Sequence, residues 1–588
     1  MAEGTEIRTG TGSVTAGTGQ DGARPRGRGR HAAGKRKGRR AQAPPDGPAG
    51  GGKGGLARSS MLMALGTMVS RATGLIRTML QAAALGTGLL ASTYNTANTV
   101  PTSLYTLLIG GALNAVLVPQ LVRARSTHAD GGSAYEQRLV TMVLCVLGTG
   151  TLLAVWCAPQ IVSVYMENSP GHHAAFELTV TFARFLLPQI FFYGVFSIFG
   201  QVLNARERFG AMMWTPVLNN AVLIAMFGLY LGILTVPDRV EDITSAQTTL
   251  LGIGTTGALA LQALALVPFA RAAGFRPRPR FDWRGSGLGG SVRAARWTLL
   301  LVLANLAAMT VVTRYANAAD DALPHGGVGY SAYSYAQTFW MLPQSIATVS
   351  VMTALLPRLS RAAVEGRLGD LRDGMSRTLR VTGTVIVPAA FFFVALGPQL
   401  AEVVFAHGAA DPSTAVPLGQ MLQALGLGLI PFSAQYVLLR GFYAFEDTRT
   451  PFLMAAATAA VNIALATACH LLLSPRWAVT GMAGAYSLSY LAGMGLTLRL
   501  LRRRMGGRID GRRLAATYAK LIAASGVAAA LGWAAARGVS GRLPFTAASG
   551  TADTLVALVA GAVVLVAAFL LCGRAMRIDE LRRLPGMR

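Results

Sequence analysis

The chain has 588 residues, of which 52% are hydrophobic and 13% charged, roughly half the charged fraction of an ordinary soluble domain. It carries 53 Lys and Arg against 26 Asp and Glu, a net charge of +27, and the basic residues fall in short clusters between apolar runs. This composition excludes an ordinary soluble domain and argues against a nucleic-acid partner. It predicts a polytopic membrane protein.

Residues 1–57 differ in composition from the rest of the chain. They are rich in Gly, Pro and Arg and have no apolar period, which predicts a disordered basic tail. They show no convincing signal peptide. We expect this tail in the cytoplasm, either solvated or against anionic lipid.

Fourteen apolar segments follow, each near or above the ~20 residues that cross a hydrocarbon core. They predict an all-α polytopic membrane protein with fourteen transmembrane helices. The segments are 60–86, 92–122, 137–158, 175–203, 212–234, 249–270, 294–317, 328–356, 377–397, 415–440, 450–473, 478–500, 514–536 and 551–572.

The loops between these segments alternate in charge. Arginine is frequent after even-numbered segments, as in "RAAGFRPRPRFDWR" and "RLLRRRMGGRIDGRR", and rare after odd-numbered ones. The positive-inside rule then predicts that both termini lie in the cytoplasm.

Short strings recur six segments apart. The second segment ends in "LVPQLVRA" and the eighth in "LLPRLSRA", while "LNARERF" after the fourth corresponds to "FYAFEDTRT" after the tenth. An even number of intervening spans gives both copies one orientation, which predicts parallel repeats with a substrate site between two lobes. The predicted domains are the tail (1–57), an N-lobe (58–272), a C-lobe (273–505), and two further helices with a basic tail (506–588).

Two arginines lie inside the first apolar segment, Arg71 and Arg77. An arginine at the centre of a membrane helix costs at least ~2.5 kcal/mol, so it usually faces a cavity or a partner. The two are six positions apart, about 120° around a helix, so both can flank one cavity. Arg184 in the fourth segment and Arg314 at the end of the seventh are further candidates, with snorkelling to the interface as the alternative.

Polar side chains at helical spacing predict a wet interior. On the second segment they are Asn95, Thr99, Thr102 and Thr106, and on the eighth they are Ser331, Ser334 and Thr338. The alternative is that these side chains hold helices together.

The residues offer no catalytic, nucleotide-binding or metal-ligating pattern, so we expect no cofactor, no metal and no enzymatic activity. No Asp or Glu lies near the centre of a predicted span, which argues against a cation-coupled drug antiporter. A cavity with arginines and no acids suits an anion, and guanidinium geometry matches a phosphate or pyrophosphate.

Four stretches resemble the MurJ/MviN lipid II flippases, a family of the multidrug/oligosaccharidyl-lipid/polysaccharide exporter superfamily. They are "SRATGLIRT", "GGALNAVLVPQL", "MLPQSIATVSVMTALLPRLS" and "GFYAFEDTRTPF", in the family's order within about residues 58–573. The resemblance implies two lobes around a cationic cavity and a groove from the last two helices for a polyprenyl tail. It also implies alternating access that moves a polyprenyl-pyrophosphate-linked precursor across the bacterial plasma membrane.

Arg71 and Arg77 fall on two of the family's cavity arginines, so the resemblance implies that they bind substrate. At other positions where the family has charged residues, this sequence has uncharged ones. The family's second-helix arginine falls at Tyr105 or Thr106, its two second-helix acids fall at Ser92 and Gly110, and its eighth-helix arginine falls at Thr338. Arg184 or Arg314 would be the candidates to compensate.

The first interpretation is therefore a lipid II flippase for cell wall synthesis, with the lipid-linked precursor and membrane lipids as partners. The alternatives are a flippase for another polyprenyl-linked glycan, and a non-transporting scaffold that recruits cell wall synthesis proteins through its basic tail. Deleting residues 1–55 distinguishes the scaffold from a transporter.

Overall fold

The computed structural model describes residues 53–105, 132–206, 208, 210–237, 239–282, 288–323, 328–408, 412–507, 510–540 and 550–581. Within these ranges the chain forms helices and their connections, and no strand is found. The predicted all-α fold class is confirmed, and residues 57–588 form one unit.

The helices of the first half follow the predicted segments. They are α1 (Lys53–Leu85), α2 (Leu89–Tyr105), α3 (Ser133–Trp156), α4 (Ala158–Tyr165), α5 (His173–Leu186), α6 (Gln189–Ala205), α7 (Gly210–Ile233), α8 (Ser245–Leu264) and α9 (Leu266–Ala272), with a 3₁₀ turn at Val240–Asp242. The first helix begins at Lys53, inside the segment predicted as a disordered tail.

The second half continues in the same way. Its helices are α10 (Leu288–Ala322), α11 (Tyr330–Trp340), α12 (Val349–Val364), α13 (Leu368–Phe405), α14 (Pro412–Gly426), α15 (Leu429–Ala444), α16 (Arg449–Leu472), α17 (Pro475–Arg504), α18 (Gly511–Ser540) and α19 (Gly550–Ala575). A π-helical turn, Gln344–Thr348, joins α11 to α12.

All fourteen predicted segments overlap a helix or a broken pair of helices, but the count of fourteen spans is not confirmed. Nine helices of the described chain are long and apolar enough to cross a membrane, or ten if the bent pair α14–α15 is one span. The segments that fail this test are polar or broken. The arginines of α1 and the Gly, Ser and Tyr residues of α17 lower the hydropathy of these helices. The eighth segment is divided between α11 and α12, and α2 is described over only 17 residues.

The fourth and tenth predicted spans are both broken. The fourth divides at Leu187 and Pro188 into α5 and α6. The tenth bends by 47° between α14 and α15. At that bend a Cβ on Gly428 would lie 2.2 Å from Ser487 Oγ, so glycine is needed for α15 to approach α17. The lobe boundaries at 272 and 505 stay a prediction.

The apolar core is divided into clusters. One joins helices between residues 84 and 275, and a second joins α10, α11 and α13–α17 with Ala82 of α1. A third packs α13 against α18 and α19. The end of α1 therefore contacts both halves, and α13 is the helix that ties the last two to the rest.

Candidate functional site

The two arginines of α1 differ in their surroundings. Arg71 is exposed, whereas Arg77 is half-buried, and its Nε is buried without a hydrogen-bond partner. Asn220 of α7 anchors this part of α1, since its Nδ2 donates to Ser70 O at 3.0 Å. The helix thus holds one guanidinium in an accessible position and the other against protein.

The charge of these arginines is not balanced by acids. In the parts of the chain that the structure describes, no salt bridge involves Arg71, Arg77 or Arg184. A partly buried guanidinium without a counter-ion is costly, so this position favours an anionic ligand.

The predicted polar face of α2 contacts the second half of the chain. Gln81 Nε2 donates to Asn95 Oδ1 at 2.7 Å and to Tyr335 OH at 3.4 Å. Thr99 Oγ1 lies 2.8 Å from Tyr330 OH. Asn95 and Thr99 are therefore engaged between helices here, which agrees with the alternative interpretation of these positions.

A buried polar interface also joins α2 to α10 and α11, and we call it the polar seam. It consists of Ser92 and Thr96 of α2, Asn317 and Asp320 of α10, and Ser331 of α11. Ser92 Oγ donates to Asp320 and accepts from Ser331 N, the latter at 2.9 Å. Asn317 Nδ2 donates to Thr96 Oγ1 at 3.0 Å. All five side chains are buried. The polar seam thus joins α2 of the first half to α10 and α11 of the second half.

The remaining candidates lie apart from the polar seam. Thr102 and Thr338 are exposed, and each hydroxyl donates to the carbonyl one turn back in its helix. Arg184 is exposed in the last turn of α5. Arg314 Nη1 donates to Ser163 O of α4 at 2.9 Å, and its Nη2 lies 3.8 Å from Glu167. Thr106 lies outside the described residues.

The structure thus joins Asn95 and Thr99 to α11 but does not bring Arg314 to the arginines of α1. The predicted seventh segment ends at residue 317, whereas α10 runs to Ala322, so the sequence analysis misses Asp320. The available signal is the pair Asp320–Asp321, just beyond the predicted end. In the sequence analysis Ser92 stands only at the position of a family acid. Here it hydrogen-bonds to an acid on another helix.

Within the ranges that the structure describes, no group of three or more His, Cys, Asp or Glu is arranged to hold a metal ion. The chemistry available is the binding of an anion by guanidinium groups between helices, with hydroxyl and amide groups beside them.

Comparison with known proteins identifies similar proteins over most of the chain. A protein-family model described as "Lipid II flippase MurJ" matches residues 81–544. The probable lipid II flippase MurJ of Rhizobium meliloti (strain 1021) is 31% identical over 435 residues, which cover 71% of this chain and 75% of that protein. That of Vibrio cholerae is 25% identical, over 76% of this chain and 82% of that protein.

Solved structures agree in fold. A structure of the lipid II flippase MurJ in an inward closed conformation matches with a TM-score of 0.69 at 18% identity, and the match covers 88% of this chain and all of that one. An inward-facing multidrug resistance MATE family transporter matches with a TM-score of 0.59 at 13% identity, over 74% of this chain and 94% of that one.

Proposed function

The chain belongs to the family of MurJ lipid II flippases, and from this premise we propose that it moves lipid II from the cytoplasmic to the outer leaflet of the bacterial inner membrane. It is a multi-pass membrane protein, with a lipid-linked precursor as its substrate. The movement serves cell wall synthesis. A transporter of this kind needs a substrate site accessible from one side at a time.

The observation that carries this proposal is the state of Arg77. Its guanidinium is half-buried with Nε unpartnered, and the pyrophosphate of lipid II supplies the missing negative charge and paired acceptor oxygens. Arg71, exposed on the same helix, reaches the same ligand from another side. We assign the substrate site to these two arginines with the polar side chains around them. Asn95 and Thr99 belong to this proposed site, and Thr102, Thr106, Arg184, Arg314 and Thr338 complete the set of residues predicted from the sequence.

We propose that the polar seam is the gate of alternating access. With both termini in the cytoplasm, the loops after α1 and α10 lie at the outer surface, and the polar seam closes the outer end. The structure then corresponds to an inward-directed state, and outward release of lipid II requires the seam to separate.

The chain acts by transport and not by catalysis. Its basic tail is a candidate contact for cell wall synthesis proteins. Deletion of residues 1–55 should leave flipping largely intact while it removes such a contact. Loss of all activity on deletion would instead favour a scaffold.

The test is rescue of a bacterial host depleted of its own lipid II flippase. Lipid II at the outer surface is measured directly for the wild type, Arg71→Ala and Arg77→Ala, with Arg239→Ala as control because Arg239 is exposed in the loop between α7 and α8. We expect rescue by the wild type and the control and loss in both α1 variants. A different outcome is that the wild type inserts well, fails to restore growth of the depleted host, and exports another polyprenyl-linked glycan. That outcome would identify the other glycan, and not lipid II, as the substrate.

A further inference from the structure

A cavity of about 1570 Å³ opens between α13, α15, α17 and α18. None of the nine substrate-site residues lines it. One end of the cavity is lined by arginines, and the rest is lined mainly by apolar residues. A site of this kind fits a ligand that is anionic at one end and hydrocarbon along its length.

The charged end of this cavity, which we call the arginine mouth, is built where helices begin and end. It comprises Arg372, Arg377 and Arg380 of α13, Arg502 in the last turn of α17, and Arg512 and Arg513 in the first turn of α18. These helix ends belong to the loops whose basic residues predict the cytoplasmic side. The arginine mouth therefore lies at the level of the cytoplasmic head groups.

The arginine mouth has an excess of positive charge. Its two acidic lining residues are Asp373 and Asp510. Arg380 Nη1 contacts Glu580 at 2.7 Å, with both side chains 10% exposed. Six guanidinium groups thus face three carboxylates, which leaves three positive charges. Within the described residues, the exposed Arg377, Arg512 and Arg513 take part in no salt bridge.

The rest of the cavity is an apolar groove. Leu488, Leu491 and Leu498 line it along α17, on the face that ends at Arg502. Leu488 and Leu491 are 57% and 51% exposed. From Leu488 to Arg502 the helix rises about 21 Å at ~1.5 Å per residue. This length exceeds one leaflet's share of a hydrocarbon core about 30 Å thick.

We propose that the arginine mouth is a second anion site, which holds the diphosphate of the lipid-linked substrate at the cytoplasmic leaflet before its head group moves to Arg71 and Arg77. This proposal rests on the proposed function. Three net positive charges are complementary to a diphosphate, and guanidinium groups bind its oxygens in pairs. The long apolar groove holds the hydrocarbon chain while the charged group is captured.

The test separates the two anion sites with the full-length protein in phosphatidylcholine nanodiscs. The probe is a labelled polyprenyl diphosphate without sugars, and its Kd is measured in an Arg71→Ala/Arg77→Ala background that lacks the α1 site. We expect binding to persist in this background. Adding Arg377→Gln/Arg512→Gln/Arg513→Gln should raise the Kd by about tenfold or more. Arg271→Gln/Arg276→Gln/Arg361→Gln, which removes three exposed arginines on the same predicted side, should leave the Kd unchanged.

Flipping distinguishes this inference from the proposed function. The arginine-mouth variant, with Arg71 and Arg77 intact, should flip poorly at low substrate and recover at saturating substrate, whereas Arg77→Ala should stay inactive. If the wild type rescues but the background double variant binds no probe, the second site is refuted while the flippase stands. Displacement of the probe by an equal concentration of phosphatidylglycerol would also refute it, in favour of a general anionic-phospholipid site.

Discussion

At the scale of single residues, Gly329 shows how tightly the polar seam is packed. Its φ of −97° is available to any residue, so backbone strain does not demand glycine. Glycine is required because there is no room for a side chain: a Cβ there would lie 1.7 Å from Cγ of the fully buried Asp320. The start of α11 can approach the end of α10 only without a side chain at this position.

We therefore predict that Gly329→Ala loosens the polar seam. Relief of the clash must move Asp320 or α11, at a cost of about 1–3 kcal/mol. Hydrogen exchange at the Ser331 amide, which donates to Ser92 Oγ, should become faster. Gly495→Ala is the control, since a Cβ there meets nothing within 4 Å. Unchanged exchange in Gly329→Ala would mean that Asp320 rotates away freely.

A residue's visibility in the sequence depends on its contrast with its neighbours. Arg71 and Arg77 stand out because they interrupt an apolar run, and α1 does carry them. Asp320 and Gln81 do not stand out, because a polar residue near a helix end is ordinary in any sequence. Their role depends on which helix lies opposite, and a single sequence does not give that partner.

At the scale of elements, α18 and α19 cross at two glycines. A Cβ on Gly532 would lie 2.7 Å from Gly561 O, and one on Gly561 would lie 2.8 Å from Gly532 O. In a membrane such close crossings, rather than the hydrophobic effect, drive helix association. The two backbones touch directly at this point.

Gly532→Ala should therefore destabilise the pair by about 1–3 kcal/mol, despite the better helix propensity of alanine. Gly538→Ala on the same helix, where a Cβ meets nothing within 4 Å, should be neutral or stabilise by up to ~1 kcal/mol. Heat-induced unfolding in detergent measures both variants. Equal unfolding midpoints for the two variants would show that α19 can shift to accommodate the methyl group without loss of stability.

A second element-scale link joins the beginning of α3 to the end of α6. Arg206 Nη2 binds Glu136 Oε2 at 2.5 Å, with side chains 12% and 0% exposed. Nη1 of the same arginine donates to Ala273 O at 2.6 Å. Because the acid is buried, this ion pair is hard to replace.

Glu136→Gln leaves the Arg206 charge uncompensated and should cost about 3–5 kcal/mol. Asp282→Asn is the matched control, because Arg138 Nε binds Asp282 at 2.8 Å but both side chains are exposed to solvent, at 34% and 56%. The control should leave the unfolding midpoint nearly unchanged. A large effect of both variants would mean that charge itself, and not burial, sets the cost.

Elements were predicted well where an apolar run is unbroken and less well where it is interrupted. The sixteenth helix, Arg449–Leu472, agrees with the predicted segment 450–473. The predicted span 377–397 proved to be the centre of a much longer helix, Leu368–Phe405. Its flanks are charged but stay helical, and hydropathy measures the apolar part of a helix and not its length.

At the scale of the whole molecule, the polar seam is the part of the fold that the proposed alternating access requires to separate. It joins α2 to α10 and α11 through hydrogen bonds between buried groups. Polar contacts suit a reversible interface, because water can replace each hydrogen bond when the interface opens. An equally large apolar interface would lose its full burial energy on opening.

This argument predicts that a covalent bond across the polar seam stops transport. The 2.9 Å hydrogen bond from Ser331 N to Ser92 Oγ, together with standard covalent bond lengths, places the two α-carbons at most about 7 Å apart, at the upper end of the roughly 4.4–6.8 Å that a disulfide spans. In a background with the four native cysteines replaced, Ser92→Cys/Ser331→Cys should cross-link on oxidation and lose outer-surface lipid II. A reductant should restore flipping, and the oxidant should not change flipping by either single variant. If the fully cross-linked protein still flips lipid II, the substrate leaves without separation of α2 from α11, and the polar seam is no gate.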